Sequence, residues 1–218
     1  MPHRNFVIAS LTLALVGFWA PWLTHPAAAL RLNGFELSEW VTFLPGVRDG
    51  SLPFGRFTFL IPVTALIPLL GIASANSRSQ TTTRRRFRLL ALLPNSPLSW
   101  GLLFFALVCL VAILPPYEAF VLPDYWPEYQ PQFIAACAAF VGLILILALP
   151  DEVNDILQIL LALLGGGYAL WATLALWAVV LQFNVRWSVG LGWAAMLLGF
   201  AGLTLSGWAR LFGPRMSA

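Results

Sequence analysis

The chain has 218 residues, 60% of them hydrophobic and 10% charged, with a formal net charge of +3. A soluble domain carries about 25% charged residues, so this composition excludes a water-soluble globule and describes an integral membrane protein built as one domain, residues 1–218. All 12 basic residues are Arg, which removes lysine chemistry such as a Schiff base or a P-loop.

A segment crossing lipid must satisfy its own backbone polar groups, and a helix of about 20 apolar residues does so. Six stretches meet this requirement: residues 6–23, 57–75, 98–114, 133–149, 156–181 and 189–208. None contains Asp, Glu, Lys, Arg or His. The expected fold class is therefore all-α, a multi-pass bundle of six transmembrane helices.

The first stretch has a rival reading. A basic start, "MPHRN", an apolar core and Ala27-Ala28-Ala29 resemble a cleavable leader. The apolar run is long for a leader, so a retained helix is expected.

Between the first two stretches, Asn33 and Glu36 are spaced as a capping box, with Leu32 and Leu37 at the flanking staple positions. Leu37, Trp40, Val41 and Leu44 then recur on one helical face, and Pro45-Gly46 ends the pattern. A short amphipathic helix over 34–44 follows. It lies on the outer membrane face or over the bundle as a lid, with Trp40 and Phe43 at headgroup level.

The second stretch contains Pro62 and Pro68, which are expected to interrupt it. After it comes "TTTRRRFR". Arg84, Arg85, Arg86 and Arg88 suit anionic lipid or a soluble partner.

"PPYEAFVLPDYWPEYQPQF", residues 115–133, is rich in Pro and aromatics. Proline makes it neither strand nor long helix. Tyr125 and Trp126 then offer a contact surface or an interfacial belt. The small-residue pairs Ala135/Ala139, Ala138/Gly142, Ala162/Gly166 and Ala195/Gly199 mark close helix contacts. Asp151, Glu152 and Asp155 open the fifth stretch, where carboxylates complement the helix dipole. Gly165-Gly166-Gly167 is expected to interrupt that stretch, as the prolines do the second. Cys109 and Cys137 are too far apart for a zinc or redox motif and read as small buried hydrophobes.

Arg asymmetry sets the orientation. With the N-terminus inside, Arg4, Arg78, Arg84, Arg85, Arg86, Arg88, Arg210 and Arg215 face the cytoplasm, against Arg31, Arg48, Arg56 and Arg186 outside. Both termini are therefore expected inside, in a membrane of bacterial cytoplasmic type. The basic pI follows from these short loops and does not indicate nucleic acid.

Ion-coupled pumps carry ionisable groups within their spans, and the six stretches have none. Only His3 and His25 exist, both outside the stretches, so bis-histidine haem is excluded and no cofactor or metal is expected. Motifs of the HExxH, GxSxG and Walker types are absent. The expected role is a non-catalytic accessory subunit of a larger membrane complex, with other membrane subunits as partners. The alternative is a small permease for a neutral or lipidic substrate, sited near Pro62, Pro68, Gly165, Gly166 and Gly167. The remaining reading, an enzyme acting on lipid at the external face, would use Glu36, Glu39, Glu118 or His25.

Overall fold

The computed structural model describes residues 2–25, 31–77, 96–180 and 187–212. In chain order these form α1 (Pro2–Trp19), β1 (Leu23–Thr24), β2 (Arg31–Leu32), α2 (Gly34–Trp40), α3 (Pro45–Arg48) and α4 (Arg56–Asn76). There follow α5 (Pro97–Ala112), α6 (Glu118–Val121), α7 (Trp126–Ala148), α8 (Asp151–Val180), β3 (Ser188–Val189) and α9 (Leu191–Phe212). The architecture is an all-α bundle. Four helical stretches, Arg56–Asn76, Pro123–Ala148, Glu152–Val180 and Leu191–Phe212, are long and apolar enough to cross a membrane. The apolar α5 has 16 residues, and the 18 residues of α1 begin with a polar turn.

The axis is α4. It packs against α1, α5, α7 and α8, and α2 lies across its start. From Thr58 to Ser74, every residue of α4 except Thr64 is buried. A second layer forms where α9 packs between α1 and α8.

Three expectations need correction. Pro62 and Pro68 do not interrupt the second stretch, because α4 runs unbroken through both. Each proline removes one helical donor, and neighbouring helices on every side hold the backbone in place. Likewise α8 continues through Gly165, Gly166 and Gly167. The third concerns α7, which begins at Trp126, seven residues before the expected Phe133. Pro127 sits in its first turn, where a missing N–H costs nothing, and Pro131 forfeits a single bond on an exposed face.

Between α1 and α4, the Asn33 capping box forms as spaced. The Asn33 side chain accepts from the Glu36 backbone N–H at 2.9 Å, and Glu36 accepts from the Asn33 N–H at 2.9 Å. The α-helix ends at Trp40 and tightens into a 3-10 turn over Val41–Phe43. Its apolar face is turned into the protein, with Leu37, Val41 and Leu44 buried, so α2 is a lid. The chain then reverses at Gly50, whose φ of 74° suits glycine, beside Asp49, which accepts from Ser51 N–H at 2.9 Å.

A small antiparallel sheet of order β2-β1-β3 pairs Leu23 with Leu32 on one side and with Val189 on the other. It fastens the end of α1 to the start of α9. These two helices approach closely along their length. A Cβ on Gly199 would lie 2.5 Å from the backbone nitrogen of Ala14 and 2.7 Å from its Cα. Close approach of this kind replaces the hydrophobic effect as the source of helix association in lipid.

Gly199→Leu is expected to destabilise the bundle by about 1–3 kcal/mol, because only backbone could yield. Gly101→Leu on α5, where an added Cβ meets nothing within 4 Å, is expected to change stability by less than about 0.5 kcal/mol. Thermal unfolding in detergent compares the two.

Candidate functional site

The polar chemistry of the bundle lies at its two ends. At one end, Arg210 on α9 donates through Nε to Nε2 of His3 at 2.6 Å and through Nη1 to Asp155 at 3.1 Å. Ser74 and Ser99 share a hydroxyl hydrogen bond at 2.5 Å, joining α4 to α5. Just inside, Gln158 donates to Ser206 Oγ at 2.6 Å and to the Leu203 carbonyl at 2.8 Å. The part-buried Arg210 bonds and the buried Gln158 bonds tie α1, α8 and α9 together.

The opposite end carries the more elaborate cluster. Arg56, the first residue of α4, is only 7% exposed, and its Nη2 bridges Glu128 at 2.7 Å and Glu39 at 3.0 Å. Its guanidinium carbon stands 3.9 Å from the centre of the Tyr129 ring. Three elements meet at this one cation: α2 through Glu39, α4 through Arg56 itself, and α7 through Glu128 and Tyr129. Arg56 Nε and Nη1 have no hydrogen-bond partner among the described residues. A cleft of about 630 Å³ opens here, lined by these residues with Thr42, Phe43, Val47, Arg48 and Tyr125.

Burial pushes the Glu39 carboxyl above its ordinary value. Arg56 acts in the opposite direction, and Glu128 adds to the rise by repulsion. Nearby, Arg48 donates through Nε to the Thr42 carbonyl at 3.0 Å, and its guanidinium lies 5.9 Å from the Phe43 ring centre.

The residues singled out by sequence distribute as follows. Phe43 and Tyr125 line the cleft and are largely exposed. Trp40 is half-buried, its ring 5.8 Å from that of Trp187. Trp126 belongs to an aromatic triangle with Phe120 at 5.8 Å and Phe133 at 5.5 Å. Arg84, Arg85, Arg86 and Arg88 lie outside the described residues. Pro62 and Pro68 are buried in α4. A Cβ on Gly165 would lie 2.6 Å from the Phe200 ring and 3.1 Å from Ala65, so helix contact fills that position. Gly166 faces Phe200 as well, whereas Gly167 meets open space. Of the carboxylates Glu36, Glu39 and Glu118, Glu36 is spent on the cap and Glu39 on Arg56. Cys109 is buried as expected, but Cys137 is exposed on the outer face of α7. Among the described residues, no three His, Cys, Asp or Glu side chains cluster to hold a metal.

Sequence reading passed over Arg56, Glu128 and Tyr129. One signal was present: Arg56 directly abuts an apolar run, a costly place for a charge without partners. The chain matches no known protein family, no curated protein and no solved structure.

A carboxyl raised in the folded state binds its proton more tightly there than in the unfolded chain. Stability owed to Glu39 is therefore complete below the unfolded value and declines as pH rises through the folded one. Glu39→Gln is expected to be more stable than the native chain near pH 7 and equal to it below about pH 4. Paired thermal unfolding curves across that interval check the sign.

Proposed function

We propose that the chain is a six-pass, non-catalytic subunit of a larger membrane assembly, of bacterial cytoplasmic-membrane type, with both termini inside. Helix order supports six passes. The ends of the six main helices alternate between the Arg210 end and the Arg56 end, and residues 3 and 210 meet at the former. At 1.5 Å per residue, α1 and α5 are about 27 and 24 Å long, close to the roughly 30 Å hydrocarbon thickness. In this topology α2 is an external lid, and the Arg84–Arg88 cluster rests on anionic lipid at the inner face.

The observation that carries the subunit reading is the segment between α5 and α7. It extends from the Arg56 end with Tyr117 74%, Val121 68% and Phe120 55% exposed. Apolar and aromatic groups concentrated beyond the ends of the helices suit a protein partner, since tyrosine and phenylalanine give contact area at low entropic cost.

The permease alternative rests on a different feature. An apolar groove of about 560 Å³ opens between α4, α7 and α8, with Thr64 and Pro68 lining it beside Gly142 and Leu164. It suits a lipidic substrate. Against it, the two halves pack differently: α4 is ringed by helices, whereas α8 packs chiefly on α4 and α9.

Gentle purification from the native membrane, followed by mass spectrometry, separates the readings. The subunit reading expects stoichiometric membrane partners, lost about tenfold on Tyr117→Ala/Phe120→Ala, as for two interface anchors. A protein that purifies alone, with the same yield and behaviour after these substitutions, contradicts it and favours the groove.

A further inference from the structure

We propose that the cleft between α2, α4 and α7 binds a phosphoethanolamine head group, a primary ammonium and a phosphate joined by two carbons. The proposal is independent of the subunit reading, because a lipid site can serve a lone protein or a subunit equally.

Charge balance selects the class. The cleft holds two carboxylates, Glu39 and Glu128, and two guanidiniums, those of Arg48 and Arg56. A purely anionic ligand meets two carboxylates, and a purely cationic one meets two guanidiniums. A zwitterion satisfies both signs. The hydrogen-bonding inventory points the same way. Arg56 is only 7% exposed, yet its Nε and Nη1 lack partners among the described residues. These are donors lacking an acceptor, and the desolvation of such groups is costly until one is supplied. Glu39 and Glu128 each give a single oxygen to Arg56, and both carboxylates reach solvent, so the other oxygens accept from an ammonium. A primary ammonium offers three N–H donors. A trimethylated one offers none.

Position favours the lipid as the source. Arg56 and Glu128 stand where the apolar runs of α4 and α7 begin, the level at which phospholipid head groups lie. Phe43 and Tyr125, exposed at the cleft, give the two methylenes of the head group an apolar wall. Arg48, held by the Thr42 carbonyl, supplies a second positive charge in the cleft for the phosphate.

The test places the full-length protein in nanodiscs of equal parts phosphatidylethanolamine, phosphatidylcholine and phosphatidylglycerol, then counts tightly retained lipids by native mass spectrometry. Phosphatidylethanolamine is expected to exceed each of the others by about tenfold, the value of one charge-assisted hydrogen bond. Glu39→Gln/Glu128→Gln is expected to bring its retention down to that of phosphatidylcholine. If that pair fails to fold, Glu128→Gln alone, at a half-exposed site, still lowers the ratio. Competition by free phosphoethanolamine identifies the source. Displacement of the lipid supports recognition of the head group from either source, and resistance supports recognition of the anchored lipid. Retained lipid that mirrors the disc composition overturns the proposal, as does an undiminished preference in the folded variants.

Discussion

Burial of α4 on all sides is the constraint on which the rest of the structure depends. A helix whose every residue but one from Thr58 to Ser74 is enclosed must be supplied with neighbours around its whole circumference. Four helices and a lid provide them. That enclosure explains why two prolines are tolerated in the middle of the helix. The bond lost at Pro62 sits within protein, the bond lost at Pro68 borders the groove at Thr64, and the surrounding side chains hold the chain on course. It also explains why the lid is amphipathic. Leu37, Val41 and Leu44 complete the cover over the end of α4 that the long helices leave open.

The ends of the helices carry the charge, and among the described residues one arginine gathers other helices at each end, Arg210 through His3 and Asp155 and Arg56 through Glu39 and Glu128. Arg210 joins α1, α8 and α9, and Arg56 joins α2, α4 and α7. The two sites differ in character. Arg210 uses Nε and Nη1 within a small cluster, whereas the buried Nε and Nη1 of Arg56 have no partner among the described residues, beside a cleft with both signs of charge. A site that serves only to fasten helices gains nothing from unpaired donors. For this reason the Arg56 end, with its aromatic surroundings, is the part of the molecule most suited to binding.

Much of this architecture was legible from the residues. Each of the six apolar stretches holds a helix, although Leu23 and Val189 at the edges of the first and last belong to the small sheet, and the Asn33–Glu36 spacing produced its cap. Interactions that depend on tertiary geometry were not legible. Pro62, Pro68 and Gly165–Gly167 read as breaks, because a local rule cannot know that a helix is enclosed. Proline-rich 115–133 read as neither strand nor long helix, whereas the long helix α7 begins within it at Trp126, with Pro127 in the first turn, where proline fits. Glu128 and Tyr129 looked like loop residues. Only the fold brings them to Arg56, which lies 72 positions along the chain from Glu128. Gly199 was legible as a contact residue, but its partner Ala14 was not, since small-residue spacing names a face and not what meets it.

The central claim is that the Arg56 end and the Arg210 end face opposite sides of one membrane, with six crossings between them. Single cysteines in a variant lacking Cys109 and Cys137 test it directly, at exposed Glu36 and half-buried Glu118 for one end and exposed Glu152 for the other. In intact cells or sealed vesicles, a membrane-impermeant thiol reagent is predicted to label positions 36 and 118 from the outside. Position 152 is predicted to react only after the membrane is opened. Labelling of 152 together with 36 from one side, or labelling of 36 and 118 from opposite sides, would contradict the six-pass arrangement.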